Sequence, residues 1–286
     1  MLKNRTTILF YPSLSCQLNC SYCSYRYDLK HFAQGENKCG RSLRWFEWLA
    51  LFNCFRPYHL EITGGEPFLY PDMKDLINHI PWQSQWSVTS NTLLDVSGIA
   101  PINCHSWSAS YHYHSLEKFK ENIRNLAEVG LKPEISLVIR PSNFREVKDS
   151  VEEFKGYIVK LIPEFAPRVD WTLGDLDRFK RLENHLVQIV KENPLKFQYE
   201  TFDYCSAGSN YFVAIEDGSI YRCYSEFIRN NKLGTIFDFK PLKSDTWCGK
   251  ECLGCIQDFK NDRHNEKRII TGEEIYEVNQ SCTEVC

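Results

Sequence analysis

Cys16-Gln17-Leu18-Asn19-Cys20-Ser21-Tyr22-Cys23 holds three cysteines, four and then three positions apart. The stretch follows a short strand-like run, Thr7–Phe10. Three thiolates this close along a chain can wrap one compact metal centre. A four-iron cubane held by only three cysteines keeps one iron open to a further ligand. An open metal position belongs to a site that performs chemistry, whereas a purely structural site is closed.

Working outward from the triplet, strand patterns are expected at Thr7–Phe10, His59–Thr63, Trp86–Ser90, His105–Ser110, Pro133–Ile139 and Tyr157–Ile162. Between them apolar residues recur at helical spacing. Trp45, Trp48, Leu49 and Phe52 form one such face. Leu116, Phe119, Ile123 and Leu126 form a second, with Ser115 as N-cap and Gly130 just past the end. Val147, Val151 and Phe154 form a third. Strands alternating with helices make a βα repeat and predict a parallel, curved sheet. In such folds the loops at the C-terminal strand ends carry the chemistry. A further helix is expected from Asp175 to Glu192, stopped by Asn193-Pro194. Beyond it the pattern changes. Tyr211–Ile215 and Ser219–Tyr224 are short strands around Asp217-Gly218, a hairpin signal. These shifts divide the chain into a larger unit, 1–200, and a smaller one, 201–286.

The chain has 286 residues, 43% of them hydrophobic, which allows a large core. A net charge of −3 gives no reason to expect nucleic acid or an anionic membrane as partner. There is no signal-peptide pattern and no apolar run of membrane-spanning length, so the expected location is cytoplasmic. Thirteen cysteines in a reducing compartment read as metal ligands rather than disulfides. The second cluster of them comprises Cys205, Cys223, Cys248, Cys252 and Cys255, with Cys282 and Cys286 behind. Cys39, Cys54 and Cys104 are scattered, and Cys54, on an apolar helical face, reads as a small buried hydrophobe.

Cys205 enters the hairpin and Cys223 leaves it, while Cys252-Leu253-Gly254-Cys255 adds a close pair. Four thiolates so arranged suit zinc or an iron–sulfur cluster, and spacing does not choose between them. Gly64-Gly65-Glu66-Pro67 follows the second strand. Paired glycines allow close approach of backbone to a ligand, and Glu66 brings a carboxylate suited to an amine or ammonium group.

Together these residues resemble the radical S-adenosylmethionine (SAM) enzymes. Cys16, Cys20 and Cys23 match that family's CxxxCxxC signature, with Tyr22 as the aromatic before the last cysteine. Gly64–Pro67 match its GGEP motif. The likeness covers roughly residues 5 to 200 and implies an α/β fold, a partial (β/α)6 TIM-like barrel. It also implies a [4Fe-4S] cluster on the three cysteines, with SAM chelating the open iron. Glu66 and the Gly64–Gly65 backbone would bind the SAM amino group. Ser90, Asn91, Ser110 and Arg140, at the ends of later strands, resemble further SAM contacts. One electron, from a donor such as flavodoxin or ferredoxin, would cleave the sulfonium and give a 5′-deoxyadenosyl radical. The residues from Cys205 on resemble a small C-terminal twitch or SPASM domain. They depart from the full SPASM pattern, because no cysteine follows Cys255 until Cys282. Cys205, Cys223, Cys252 and Cys255 therefore look like ligands of one auxiliary [4Fe-4S] cluster, and Cys248, Cys282 and Cys286 leave a second one open.

The resemblance leaves the reaction open. In an epimerisation a thiol would return hydrogen to the other face of the carbon, and Cys248, beside the cluster ligands, is the candidate donor. The alternative is a two-electron dehydrogenation or peptide crosslink, with the auxiliary cluster accepting the electron. The first strand begins by about residue 7, leaving no room for a leader-binding module before it. A small polar molecule, such as a sugar or aminocyclitol, or a short peptide is therefore expected as substrate. The loop from Tyr25 to Arg41 and the segment Tyr111–His114 would face it, with His112 and His114 in strand register.

Overall fold

A computed structural model of the chain describes residues 6–23, 43–163, 204–205, 207–241 and 246–247. The expected helix from Asp175 to Glu192, the loop from Tyr25 to Arg41, and Cys39, Cys248, Cys252, Cys255, Cys282 and Cys286 lie outside the described residues.

Six strands follow one another in the sheet: β1 (Thr6–Tyr11), β2 (Tyr58–Ile62), β3 (Gln85–Ser90), β4 (Cys104–Tyr111), β5 (Pro133–Ile139) and β6 (Val159–Pro163). All pair in parallel in chain order. The helices α1 (Trp45–Asn53), α2 (Met73–Asn78), α3 (Leu116–Glu128) and α4 (Phe144–Glu153) fall in four of the five connections. This is the expected βα repeat, except that the connection from β3 to β4, residues 91–103, holds no helix.

Strand periodicity explains how the layers meet. On β4, Trp107, Ala109 and Tyr111 are buried and alternate with the half-buried Ser106, Ser108 and Ser110. The buried set joins one continuous core with the apolar faces of the helices. Phe10 of β1 meets Trp48 and Phe52 of α1 at ring separations of 4.7 and 5.3 Å. Tyr111 of β4 meets Phe119 of α3 and Phe154, just past α4, at 5.1 and 5.2 Å. The opposite face of β4 carries small hydroxyls, and Ser108 hydrogen-bonds Ser136 of β5 at 2.8 Å.

Ser115 is the N-cap residue of α3, as expected, though with φ 48° and no cap hydrogen bond from its side chain. One local expectation is corrected. Cys54 is exposed, because it falls at the C-cap of α1 rather than on its buried face.

The expected hairpin is present as β8 (Tyr211–Ile215) and β9 (Ser219–Tyr221). Gly218 supplies the positive φ of 82° that the turn requires. The second strand is shorter than expected. The carbonyl of Cys223 accepts the Phe227 N–H at 3.0 Å, and the chain coils into α5 (Tyr224–Ile228). β10 (Lys232–Thr235) then pairs with β9. The hairpin does not stand apart from the barrel strands. β8 pairs in parallel with β1, from Thr7↔Tyr211 to Tyr11↔Ile215, giving one nine-stranded sheet in the order β10-β9-β8-β1-β2-β3-β4-β5-β6. Separately, β7 (Tyr204–Cys205) pairs with β11 (Thr246–Trp247). No described helix is long and apolar enough to cross a membrane.

Phe10 is fully buried between two rings of α1. Phe10→Ala is expected to lower stability by about 3–5 kcal/mol. Urea titration of the purified variant checks this, and a midpoint equal to that of the wild type would contradict the packing.

Candidate active site

The cysteine triplet lies in the loop that leaves the C-terminal end of β1. That loop is laid directly on the turn that follows β2. The Gly65 N–H donates to the Ser13 carbonyl at 3.0 Å, and the Glu66 N–H to the Ser15 carbonyl at 2.8 Å. Such contact requires bare backbone. A Cβ on Gly65 would stand 2.2 Å from the Ser15 oxygen, and one on Gly64 would stand 2.5 Å from the Ser13 oxygen. Gly64 also has φ 134°, a conformation side chains disfavour. The glycine pair therefore admits the protein's own cysteine loop, a tighter constraint than the ligand approach expected from the motif.

Glu66 is fully buried. Its Oε1 accepts from the Ser90 hydroxyl at 2.8 Å and the Phe68 N–H at 3.2 Å. Its Oε2 accepts from the Asn91 N–H at 2.8 Å. Burial pushes its carboxyl up from the usual range, and these three donors oppose that shift. One side chain thus ties the end of β2 to the end of β3. Asn91 extends the tie to the cysteines. Its Oδ1 accepts from Gln17 Nε2 at 2.9 Å, and its Nδ2 faces Cys16 Sγ at 3.7 Å. The Leu18 N–H also points at that sulfur, at 3.4 Å.

Cys16 is exposed, and Cys20 and Cys23 are half-buried; all three are free thiols. Partial burial pushes the thiols of Cys16 and Cys20 up, opposed at Cys16 by the Leu18 N–H and at Cys20 by the Tyr22 hydroxyl. Donors aimed at sulfur suit a ligand that carries negative charge when metal is bound. Among the described residues no three His, Cys, Asp or Glu side chains converge as on a single metal ion.

Tyr22 closes the other side of the loop. Its hydroxyl pairs with His112 Nδ1 at 2.9 Å, and the two rings stack at 5.8 Å. The Arg140 guanidinium lies 5.0 Å from the centre of the Tyr22 ring, and Nη1 donates to Ser21 Oγ at 3.2 Å. His112 and His114 follow the end of β4 in a turn where Tyr113 has φ 62°, so they do not alternate in strand register. His112 instead braces the cysteine loop.

The structure thus brings Cys16, Cys20, Cys23, Gly64, Gly65, Glu66, Ser90, Asn91 and Arg140 together at one mouth of the sheet. Ser110 lies nearby as a half-buried residue of β4. Cys223 lies beyond β9, buried to 5% in a second apolar cluster with Tyr11, Val213, Tyr221 and Phe227. Cys205 is on β7. Sequence reasoning missed Gln17, the bracing role of His112, and Glu216, which accepts the Leu14 N–H at 2.8 Å. Gln17 could have been noticed as a polar side chain inside the motif. No local signal points to the other two.

No protein-family model matches the chain, and no curated protein does. Solved structures do. Native anSMEcpe with bound AdoMet and the Kp18Cys peptide matches at 18% identity and TM-score 0.55, over 82% of this chain and 78% of that one. The same protein with AdoMet alone, and with AdoMet and the Cp18Cys peptide, matches at 17% and 19% identity with equal scores and coverage. These neighbours are radical SAM enzymes, and the present chain shares their partial-barrel fold.

Gly65→Ala drives a methyl group into two carbonyl oxygens. It is expected to cost about 2–3 kcal/mol in chemical denaturation; an unchanged midpoint would contradict the loop packing. Burial, and secondarily His114, hold His112 at a pKa of about 4, below the ordinary 6.5. The unfolded chain therefore takes up this proton first. The associated stability is complete above about pH 6.5 and is lost as pH falls toward 4. NMR titration of the His112 ring should give a midpoint near 4, and an ordinary midpoint would contradict its burial.

Proposed function

We propose that the chain is a radical SAM enzyme, with a barrel unit spanning 1–200 and a twitch- or SPASM-like unit spanning 201–286. The observation that carries the reading is the backbone clasp between the cysteine loop and the Gly64–Glu66 turn, at the C-terminal mouth of a parallel sheet. Cys16, Cys20 and Cys23 would hold a [4Fe-4S] cluster. Cys205, Cys223, Cys252 and Cys255 would hold one auxiliary [4Fe-4S] cluster. When bound, SAM and the first cluster supply a 5′-deoxyadenosyl radical that takes hydrogen from an unactivated carbon.

The chain's own residues orient and shield. Carbonyls of the Gly64–Gly65 turn offer acceptors for the SAM amino group, and Glu66, fully buried with both oxygens hydrogen-bonded, holds that turn in place. Arg140 at the mouth offers a cation to its carboxylate, and Ser90, Asn91 and Ser110 offer polar contacts. Asn91 and the Leu18 N–H hold Cys16 in one orientation. Packing of Tyr22 against His112 and Arg140 keeps water from the far side of the loop, as radical chemistry requires.

The substrate is a short peptide or a small polar molecule. The peptide complexes of the similarly folded anSMEcpe support the first. The reaction is an epimerisation in which Cys248 would return a hydrogen atom to the opposite face of the carbon, and the thiyl so formed would be restored to the thiol by a proton and one electron passed through the auxiliary cluster. A two-electron dehydrogenation or crosslink, with the auxiliary cluster accepting the electron, is the second reading; in its support, Cys223, two residues past β9, packs in one apolar cluster with Tyr11 at the end of β1. A flavodoxin or ferredoxin would supply the initiating electron, and the reducing cytoplasm suits such clusters.

Anaerobic reconstitution should load about eight irons, four per cubane. Exchange of Cys16, Cys20 and Cys23 for alanine should leave about four. A wild type holding four irons plus zinc would contradict the auxiliary cluster. Turnover in deuterated water should place one deuterium at the altered carbon, and Cys248→Ala should abolish this. A product lighter by two hydrogens would instead establish dehydrogenation.

A further inference from the structure

The turn of the C-terminal hairpin sits beside the cysteine loop. Because Ile215 pairs with Tyr11, Glu216 emerges from β8 at the same end at which the loop emerges from β1. Its Oε2 accepts the Leu14 N–H at 2.8 Å, across 202 positions of sequence. Burial pushes the Glu216 carboxyl up, while the Leu14 N–H and the Ser13 hydroxyl oppose that shift. The peptide group joining Ser13 to Leu14 is thus held from both ends. Its carbonyl is taken by the Gly65 N–H and its N–H by Glu216. The Leu14 side chain packs on the cluster of Tyr11, Val213, Ile215 and Phe227, which the hairpin and α5 complete. Cys16 follows two residues later.

We infer that Glu216 is a positioning residue of the first cluster site. The C-terminal hairpin reaches over to fix the peptide that presents Cys16, so cluster assembly and cluster potential depend on a residue far outside the cysteine motif. The motif's own turn supplies only one half of the clamp. This rests on the radical SAM reading for the cluster itself, whereas the clamp can be read without iron.

The test compares the full-length wild type with Glu216→Ala, Glu216→Gln and Glu216→Asp. In iron-free protein, hydrogen exchange at the Leu14 amide is expected to quicken at least about tenfold in Glu216→Ala, the loss of about 1.4 kcal/mol of protection. Glu216→Gln, whose amide oxygen still accepts the N–H, should stay near wild type. After reconstitution, Glu216→Ala should bind less iron, and its reduced electron paramagnetic resonance spectrum and midpoint potential should shift. Glu216→Gln should restore the wild-type spectrum. If Glu216→Ala does not fold, Glu216→Asp, with its carboxylate drawn back by one methylene, is read for the same quantities. A folded Glu216→Ala with wild-type exchange, iron content and spectrum would overturn the inference. Quickened exchange in a protein that binds no iron even as wild type would uphold the clamp and overturn the cluster.

Discussion

A single buried carboxylate organises the mouth of this sheet. Glu66 lies without solvent access, yet both its oxygens are hydrogen-bonded. Leaving such a group unpaired would cost several kcal/mol. The fold can therefore bury it only if Ser90 and the Asn91 N–H arrive at the right place. That requirement fixes the end of β3 against the end of β2. It also fixes Asn91, whose amide reaches Gln17 and Cys16. The geometry of the cysteine loop thus depends on satisfying a carboxylate at the end of the neighbouring strand.

Two layers of constraint meet there. The glycine pair brings the loop backbone within hydrogen-bonding distance of the Gly64–Glu66 turn, and Glu66 locks that turn to its neighbour. From the other side, Tyr22, His112 and Arg140 fasten the loop to the ends of β4 and β5. From below, the β8–β9 hairpin joins β1 and delivers Glu216. The loop that carries the three thiols is consequently tied to five separate stretches of chain: the Gly64–Glu66 turn, Asn91, His112, Arg140 and Glu216. Such over-determination is what a site needs if its ligands are to hold their positions through an electron-transfer step.

Much of this was legible in the residues. The six parallel strands announce themselves through β-branched and aromatic runs, and the helices through apolar faces such as Phe119, Ile123 and Leu126. The triplet and the Gly64–Pro67 turn are local motifs and appear where expected. What stays hidden is long-range. Nothing in Tyr211–Ile215 says that it will pair with Thr7–Tyr11, because a strand's pattern records its burial and not its neighbour. The bonds from Glu216 to Leu14 and from His112 to Tyr22 join residues with no shared periodicity. The function of the glycines was legible in kind but not in object, since a bare backbone can admit a ligand or another loop.

The central claim is that Cys16, Cys20 and Cys23, held in this clasp, form a centre that splits SAM. The most direct measurement is chromatography of the reconstituted, dithionite-reduced protein after incubation with SAM under anaerobic conditions. The account predicts 5′-deoxyadenosine and methionine in equal amounts, and none from a Cys16→Ala protein. Intact SAM, with a fully loaded and reduced cluster, would contradict it.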